Sequence, residues 1–448
     1  MKTSMIRGQE CWQVSTPTID AAVTVQGGMM APVGFTLPGG RVVQPYYVSP
    51  WQDEGTASET AANLALNPVA NPAVSQPIEP AVLVPLRGDF FCLPFGGGNK
   101  VGDEDHQPHG ESAWKRWNFV SCKADEAGEG PTRQGLAGQG PAGQDLSGVR
   151  ASGGNPATQL VLGMDYAACK GSVRKSLFIG HDQAYIGTEH TLSGFSGAYP
   201  LGHHATLAGS TERDGIWELF FPPFDLGFTD PDNTLPFKGG EYYALADGVD
   251  FHDFSVVPTR WKNPSSVDLS KFPARRGFMD IAAIYRKSAS AGQEDTDKGN
   301  GVDGSPAWLG RVGWTVAVNR EEGYLWYSIK DQSLLPATVF WMENQGRHAY
   351  PWSGRNSCIG LEETCAFMAA GRSRSIQSNV VSQHGIPTAV QLSPDKPLRV
   401  RTIQGVLPVP RKDIRITGLG IDAAGRAVFA SDTGPELALP VSPAWVLA

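Results

Sequence analysis

Charge is scarce in this 448-residue chain: Lys, Arg, Asp and Glu together make up 18% of it, and the formal balance is −8, with a pI near 5.6. With no basic footprint, nucleic acid and anionic lipid are excluded as expected partners. Cysteine is also sparse. The six residues Cys11, Cys92, Cys122, Cys169, Cys358 and Cys365 contain no CxxC pair. That excludes a ribbon-type metal site and a disulfide framework, and reduced core or near-core thiols are expected instead. No uninterrupted apolar run approaches the roughly 20 residues needed to cross a bilayer. The opening MKTSMIRGQECWQV carries no apolar segment of signal-peptide type. A soluble, cytoplasmic protein without a membrane partner is therefore expected, its oligomeric state left open. The chain also lacks self-similarity at a period of roughly 20 to 50 residues, which disfavours propellers and solenoids.

What the chain has in abundance is turn formers, 53 Gly and 34 Pro, which favour a many-stranded β protein over a helical one. Residues 21–40, AAVTVQGGMMAPVGFTLPGG, read as a hairpin broken at Gly-Gly and again at Pro-Gly-Gly. Short strand-like segments follow at 159–166, 173–179, 204–209, 216–221, 277–285, 313–319, 323–329 and 336–344. They are not alternated with helix-period segments, which argues against a doubly wound α/β sheet. Residues 53–80 read as a loop or a short surface helix. The Gly/Ala/Gln-rich stretch 124–155 and the polar stretch 288–305 read as long loops inserted into one domain spanning 1–448.

Three stretches could carry chemistry. In LRGDFFCLPFGGGN (86–99) and HQPHGESAWKRW (106–117), Arg87 and His109 bracket a Gly-rich run that lets backbone approach a ligand, with Trp114 and Trp117 nearby as aromatic platforms. The alternative is structural: Arg87 paired with a carboxylate and His109 capping a turn. His106 and His109 could suggest a metal pair, but Pro108 breaks any helix and no third ligand follows at suitable spacing, so no metal is expected. In PLGHHATL (200–207), successive residues of a strand point to opposite faces, so only one of His203 and His204 can enter a given cleft. Histidine is the natural group to give and retake a proton near neutral pH. In WMENQGRHAYPWSGRNSCIGLEETCAFMAAG (341–371), Glu343, Arg347, His348, Trp352, Arg355, Glu362 and Glu363 lie amid Gly and aromatic residues. Alternation again sends Glu362 and Glu363 to opposite faces, and an inward carboxylate with a raised pKa would suit a general base. Two solvated glutamates at the start of a surface helix are the competing reading.

Arg87-Gly88, Pro94-Phe95-Gly96, His109-Gly110, Gly202-His203-His204 and Gly360-Leu361-Glu362 occur in an order that resembles the aldose 1-epimerase (mutarotase) superfamily, nearest its glucose-6-phosphate 1-epimerase-like branches. The resemblance implies an all-β galactose mutarotase-like β-supersandwich, with a small-molecule carbohydrate held on a concave sheet and no cofactor. It assigns His204 as catalytic acid and Glu362 as base. Arg87, His109, Asp280 and, in the third stretch, Arg355 become candidate substrate-binding residues. The implied reaction is ring opening and reclosure that interconverts sugar anomers. The sugar-phosphate branch places an Arg soon after His-Gly, whereas Glu111-Ser112-Ala113 follow here. A non-catalytic carbohydrate-binding or regulatory protein on the same fold is the alternative function. A lyase or hydrolase using Glu343 with Glu362 is a third.

Overall fold

Strand alternation and strand burial explain most of the architecture of the computed structural model, which describes residues 1–54, 77–124, 157–233, 235–287, 306–432 and 434–448. The Gly-Gly break expected at 27–28 joins strands Ile19–Thr24 and Met30–Thr36, which pair antiparallel within a five-stranded N-terminal sheet. Two larger sheets dominate. The seven-stranded sheet runs Asp250–Phe251, Leu226–Thr229, Phe278–Tyr285, Ala337–Asn344, Ser357–Cys365, Leu201–Ala208, Phe91–Cys92. The nine-stranded sheet is centred on Val312–Asn319, Tyr324–Asp331, Leu398–Pro408, Tyr185–Ser193 and Ser172–Gly180. All eight segments read from the sequence as strand-like lie on strands of these two sheets.

The sheets pack face to face. One face of the seven-stranded sheet supplies Ala205, Leu207, Phe340, Ile359 and Leu361 to a core shared with Leu177, Ile186, Trp326 and Val400 of the nine-stranded sheet. The opposite face of the seven-stranded sheet carries Val339, Trp341, Met279 and Ala283 into a second cluster, with Phe90, Leu83 and Trp352 from loops. The outer face of the nine-stranded sheet is covered by the C-terminal strands Ile416–Ile421, Ala427–Ser431 and Leu437–Ala438 and the turn Pro443–Leu447. The central strands are therefore buried on both faces, and every residue of Tyr324–Asp331, Ala337–Asn344 and Ser357–Cys365 is buried. The fold is all-β.

The surface helix considered for Glu362 and Glu363 is replaced by the strand Ser357–Cys365; only short helical turns, Arg372–Ser375 and Val380–Gln383, follow it. The inserted loops expected at 124–155 and 288–305 lie outside the described residues apart from Ala124, which ends the strand Asn118–Ala124. Of the expected 53–80 loop, residues 55–76 also lie outside them. The six cysteines are free thiols; Cys122 is exposed, unlike the core position expected, and Cys169 half-buried. Among the described residues no helix is long and apolar enough to cross a membrane.

Candidate functional site

The register of two adjacent strands builds the centre of the site. Leu201–Ala208 and Ser357–Cys365 are antiparallel with His204 directly opposite Glu362 and His203 opposite Glu363. Because side chains alternate, each pair shares one face. His204 and Glu362 point away from the inter-sheet core, and their Nε2 and Oε1 atoms are 3.1 Å apart, with the residues only 4% and 2% exposed. Gly360 makes room for this contact: a Cβ there would stand 2.3 Å from Glu362 Oε1. The other ring nitrogen of His204, Nδ1, is 3.1 Å from Thr206 Oγ1, two residues along on the same face.

His203 and Glu363 enter the core between the sheets instead. His203 lies 3.4 Å from Asp89 Oδ2 and 3.4 Å from Thr402 Oγ1. Glu363 accepts from Thr315 (2.7 Å) and Thr338 (2.8 Å) and is ion-paired with Lys330, whose ammonium also donates to the Ala337 carbonyl. This is a closed buried network in which the charges neutralise each other.

Around His204 and Glu362 is a cleft of about 590 Å³ including its open mouth, lined by Leu83, Leu86, Phe90, Gly97, His109, Ile281, Val339, Trp341, Arg347 and Trp352 among others. Phe90 stacks on His204, with ring centroids 4.5 Å apart and planes within 18°. His109 meets His204 edge-on at 5.2 Å. Its backbone has a positive φ of 63°, and Gly110 follows where a Cβ would lie 1.8 Å from the Leu93 carbonyl oxygen, so the His-Gly pair is a turn that only glycine can complete. Trp341 Nε1 is buried with no acceptor among the described residues, leaving a donor free at the cleft wall. The Arg347 guanidinium lies 5.3 Å from the Trp341 ring and 4.8 Å from the Trp352 ring. It is ion-paired with Glu241 at 2.6 Å.

Burial sets the protonation of the site. It raises the Glu362 carboxyl well above the usual carboxylate range, opposed by the positive charge of Arg347. It lowers His204 well below the usual imidazole range, and the neighbouring His109 acts in the same direction. His109 is pushed down to about 4, by burial first and Arg347 second. Burial thus pushes Glu362 and His204 in the same direction, toward a protonated carboxyl and an unprotonated imidazole, beside a His109 that is neutral at neutral pH.

The structure brings His204, Glu362 and His109 together. It does not bring in the other three expected residues, none of which is among the lining residues. Arg87 is fully buried and donates to the carbonyls of Pro85, Ile6 and Arg7 and to Gln52 Oε1. Its geometry is that of a clamp on the N-terminal hairpin. Asp280 projects to the opposite face of its strand, where it accepts from the amides of Ala244 (2.8 Å) and Leu245 (3.0 Å) and pairs with Arg275. Arg355 binds Glu54 and the Pro351 carbonyl. The cation in the cleft wall is Arg347, which the sequence offers only as one of several charged residues in the 341–371 stretch. Glu343 is fully buried below it and is not at the cleft surface.

One group outside the cleft has the chemistry of a metal site. Ligand atoms of Glu104, His106 and Cys169 lie within 4.8 Å of one another. The same Glu104 oxygen is, however, ion-paired with Arg372 and accepts from the Tyr199 hydroxyl at 2.6 Å. A guanidinium thus already stands where a cation would bind, and the cluster reads as an internal ion pair fastening residues 99–109 to Arg372.

No family model matches the chain, and no curated protein matches it. Solved structures do. A galactose mutarotase-like protein from Clostridium acetobutylicum is similar over 91% of this chain and 98% of its own, with TM-score 0.51 and 11% identity. A candidate aldose 1-epimerase from Klebsiella pneumoniae is similar over 90% of this chain and 80% of its own, with TM-score 0.51 and 9% identity. At such identities the likeness is one of fold, and the chain has the galactose mutarotase-like fold.

Proposed function

We propose that the cleft is the active site of an aldose 1-epimerase-like isomerase, in which Glu362 and His204 open and reclose a pyranose ring by paired proton transfers. The observation that carries this reading is the 3.1 Å contact between His204 Nε2 and Glu362 Oε1 on the floor of a ring-sized cleft.

A closed pyranose needs a base at its O1 hydroxyl and an acid at its ring oxygen; the open aldehyde needs the reverse. A carboxyl and an imidazole sharing one proton provide both states. With the proton on His204, Glu362 takes the O1 proton while His204 protonates the ring oxygen, and the C1–O5 bond breaks. The proton now rests on Glu362, the direction in which burial shifts both groups. Rotation about C1–C2 and the reverse transfers close the other anomer. Arg347 favours the carboxylate form of Glu362 electrostatically. Trp341 Nε1 and the neutral His109 are suited to hydrogen-bond sugar oxygens. Among the described lining residues Arg347 is the one permanent cation, and it is committed to Glu241, which favours an uncharged aldose over a sugar phosphate.

Polarimetry of freshly dissolved α-anomers tests the proposal. The wild type accelerates mutarotation of at least one aldose, and Glu362→Gln and His204→Asn each lower kcat by about 10²- to 10⁴-fold. A wild type that leaves every aldose at its spontaneous rate sinks the catalytic reading and leaves a binding-only protein.

A further inference from the structure

Three contacts fix the imidazole of His204 and bear on which nitrogen carries its proton. Phe90, stacked at 4.5 Å and within 18°, sets the plane of the ring. The His204 amide, donating to the Phe90 carbonyl at 2.9 Å, pins the backbone beneath it. Thr206 sets the rotation within that plane: its Oγ1 lies 3.1 Å from Nδ1, while Nε2 faces Glu362 Oε1 at 3.1 Å. Alternation puts Thr206 on the same face of the strand as His204, directly opposite Gly360 on the neighbouring strand. This cross-strand row serves both members of the pair, Gly360 by giving Glu362 room and Thr206 by holding His204.

Thr206 is itself held firmly. It is fully buried, its amide donates to the Gly88 carbonyl and its carbonyl accepts from the Tyr47 amide, both at 3.0 Å, and a β-branched side chain has few rotamers. A threonine hydroxyl can donate or accept, so the other groups beside the ring decide the tautomer. On the Nε2 side, burial favours a protonated Glu362 carboxyl next to an unprotonated imidazole, and a carboxyl O–H needs a lone pair to receive it. On the other side, the backbone carbonyl of His204 itself favours a protonated ring, and of the two nitrogens only Nδ1, two bonds from Cβ, is close enough to reach it. Both considerations put the proton of the neutral ring on Nδ1. His109 is locked the other way. Its Nδ1 accepts from the Gly96 amide at 3.4 Å, and because a backbone amide only donates, the single proton of the neutral ring sits on Nε2.

We propose that Thr206 is a positioning residue that holds His204 as the Nδ1–H tautomer, leaving Nε2 as the nitrogen that exchanges protons, while the Gly96 amide holds the neighbouring His109 in the opposite tautomer as a fixed N–H donor. The effect on catalysis rests on the epimerase reading of the cleft; the tautomers themselves do not. When protonated His204 gives its Nε2 proton to the ring oxygen, the neutral ring left behind is already the Nδ1–H form, with Thr206 still accepting. The emptied Nε2 lone pair then takes the proton back on reclosure, and no proton has to pass between the two ring nitrogens during the cycle. A neutral ring carrying its proton on Nε2 would offer no lone pair there. His109, with Nδ1 engaged by an amide and its pKa lowered to about 4, does not compete as an acid and supplies one hydrogen bond to a sugar oxygen.

Nitrogen-15 NMR of the full chain labelled at histidine, recorded near neutral pH, tests the assignment, with the two rings identified by the signals lost in His204→Asn and His109→Asn. The wild type shows His204 as Nδ1–H and His109 as Nε2–H. Thr206→Val keeps the side-chain shape but removes the hydroxyl: the His204 signal moves toward the Nε2–H form, and kcat falls by about tenfold with KM within about twofold, the size of one neutral hydrogen bond lost from the transition state. Thr206→Ser retains the Nδ1–H signal and restores kcat. A wild-type His204 in the Nε2–H form, or a Thr206→Val variant with tautomer and kcat both unchanged, overturns the role of Thr206; a wild-type His109 in the Nδ1–H form overturns that of Gly96. A changed tautomer with unchanged kcat overturns the catalytic consequence. Should Thr206→Val fail to fold, the wild-type and Thr206→Ser spectra decide: Nδ1–H at His204 in both supports the proposal, and Nε2–H in either overturns it. Should no sugar be turned over, the epimerase reading fails, and the tautomers of the wild type and of Thr206→Val decide the positioning role alone.

Discussion

Glu343 provides a quantitative test of how burial controls charge beneath the cleft. Its Oε1 accepts from the amides of Gly346 (2.9 Å) and Arg347 (3.2 Å), while Oε2 has no hydrogen-bond partner among the described residues and lies 3.8 Å from Arg347 Nε. The residue is 0% exposed. Burial, only partly offset by Arg347, pushes its carboxyl up from 4.5 to about 7. Between those values the folded chain keeps a proton that the unfolded chain releases, so this group's contribution to stability is fully present below pH 4.5 and is lost as pH rises through about 7. A shift of that size corresponds to about 3 kcal/mol. Glu343→Gln retains an oxygen for the two amides and removes the titration. Urea unfolding of both proteins from pH 4.5 to pH 8 should show the stability of the wild type, relative to the variant, falling by about 3 kcal/mol. Taking the difference cancels Asp230, which burial raises to about 6 and which titrates in the same window. A difference that is flat across this range would refute the assignment of a protonated Glu343 below about pH 7.

Further substitutions separate binding roles from structural ones. Arg87→Met should destabilise the fold by about 3 kcal/mol, because it strands buried carbonyl acceptors, while leaving KM for sugars unchanged; Arg347→Met should raise KM or lower kcat with the smaller change in thermal midpoint. A comparison of melting curves with steady-state kinetics checks both, and a KM defect confined to Arg87→Met would reverse the two assignments. Lys330→Met should cost about 3 to 5 kcal/mol by leaving Glu363 charged and unpaired in the inter-sheet core, and adding Glu363→Gln should recover much of that loss in urea titrations.

How much of this was readable in advance depends on how local the determining contacts are. The opposite orientations of His203 and His204, and of Glu362 and Glu363, follow from period-two alternation alone, and the structure sends one member of each pair to the cleft and the other to the core. Alternation cannot say which member goes where, since all four residues are buried. Two central strands, Tyr185–Ser193 and Leu398–Pro408, escape a hydrophobic reading because they carry Glu189 and Arg401; these charges are cross-strand partners 2.6 Å apart, and the half-buried Glu189 provides the counter-charge for the buried Arg401. The arginines show the same effect at the site. Arg87 stands beside a Gly-rich turn, which suggests a ligand, yet its carbonyl partners at Ile6 and Arg7 come from a hairpin about 80 residues earlier. Arg347 lies in an unremarkable run of charges, yet Glu241, from a distant hairpin, holds it against Trp341 and Trp352 in the cleft wall. A guanidinium's role is set by where its acceptors lie, and those acceptors come from elsewhere in the chain. The strand register that joins His204 to Glu362, by contrast, needs only two neighbouring strands, so the candidate pair could be inferred before the residues that surround it in the cleft.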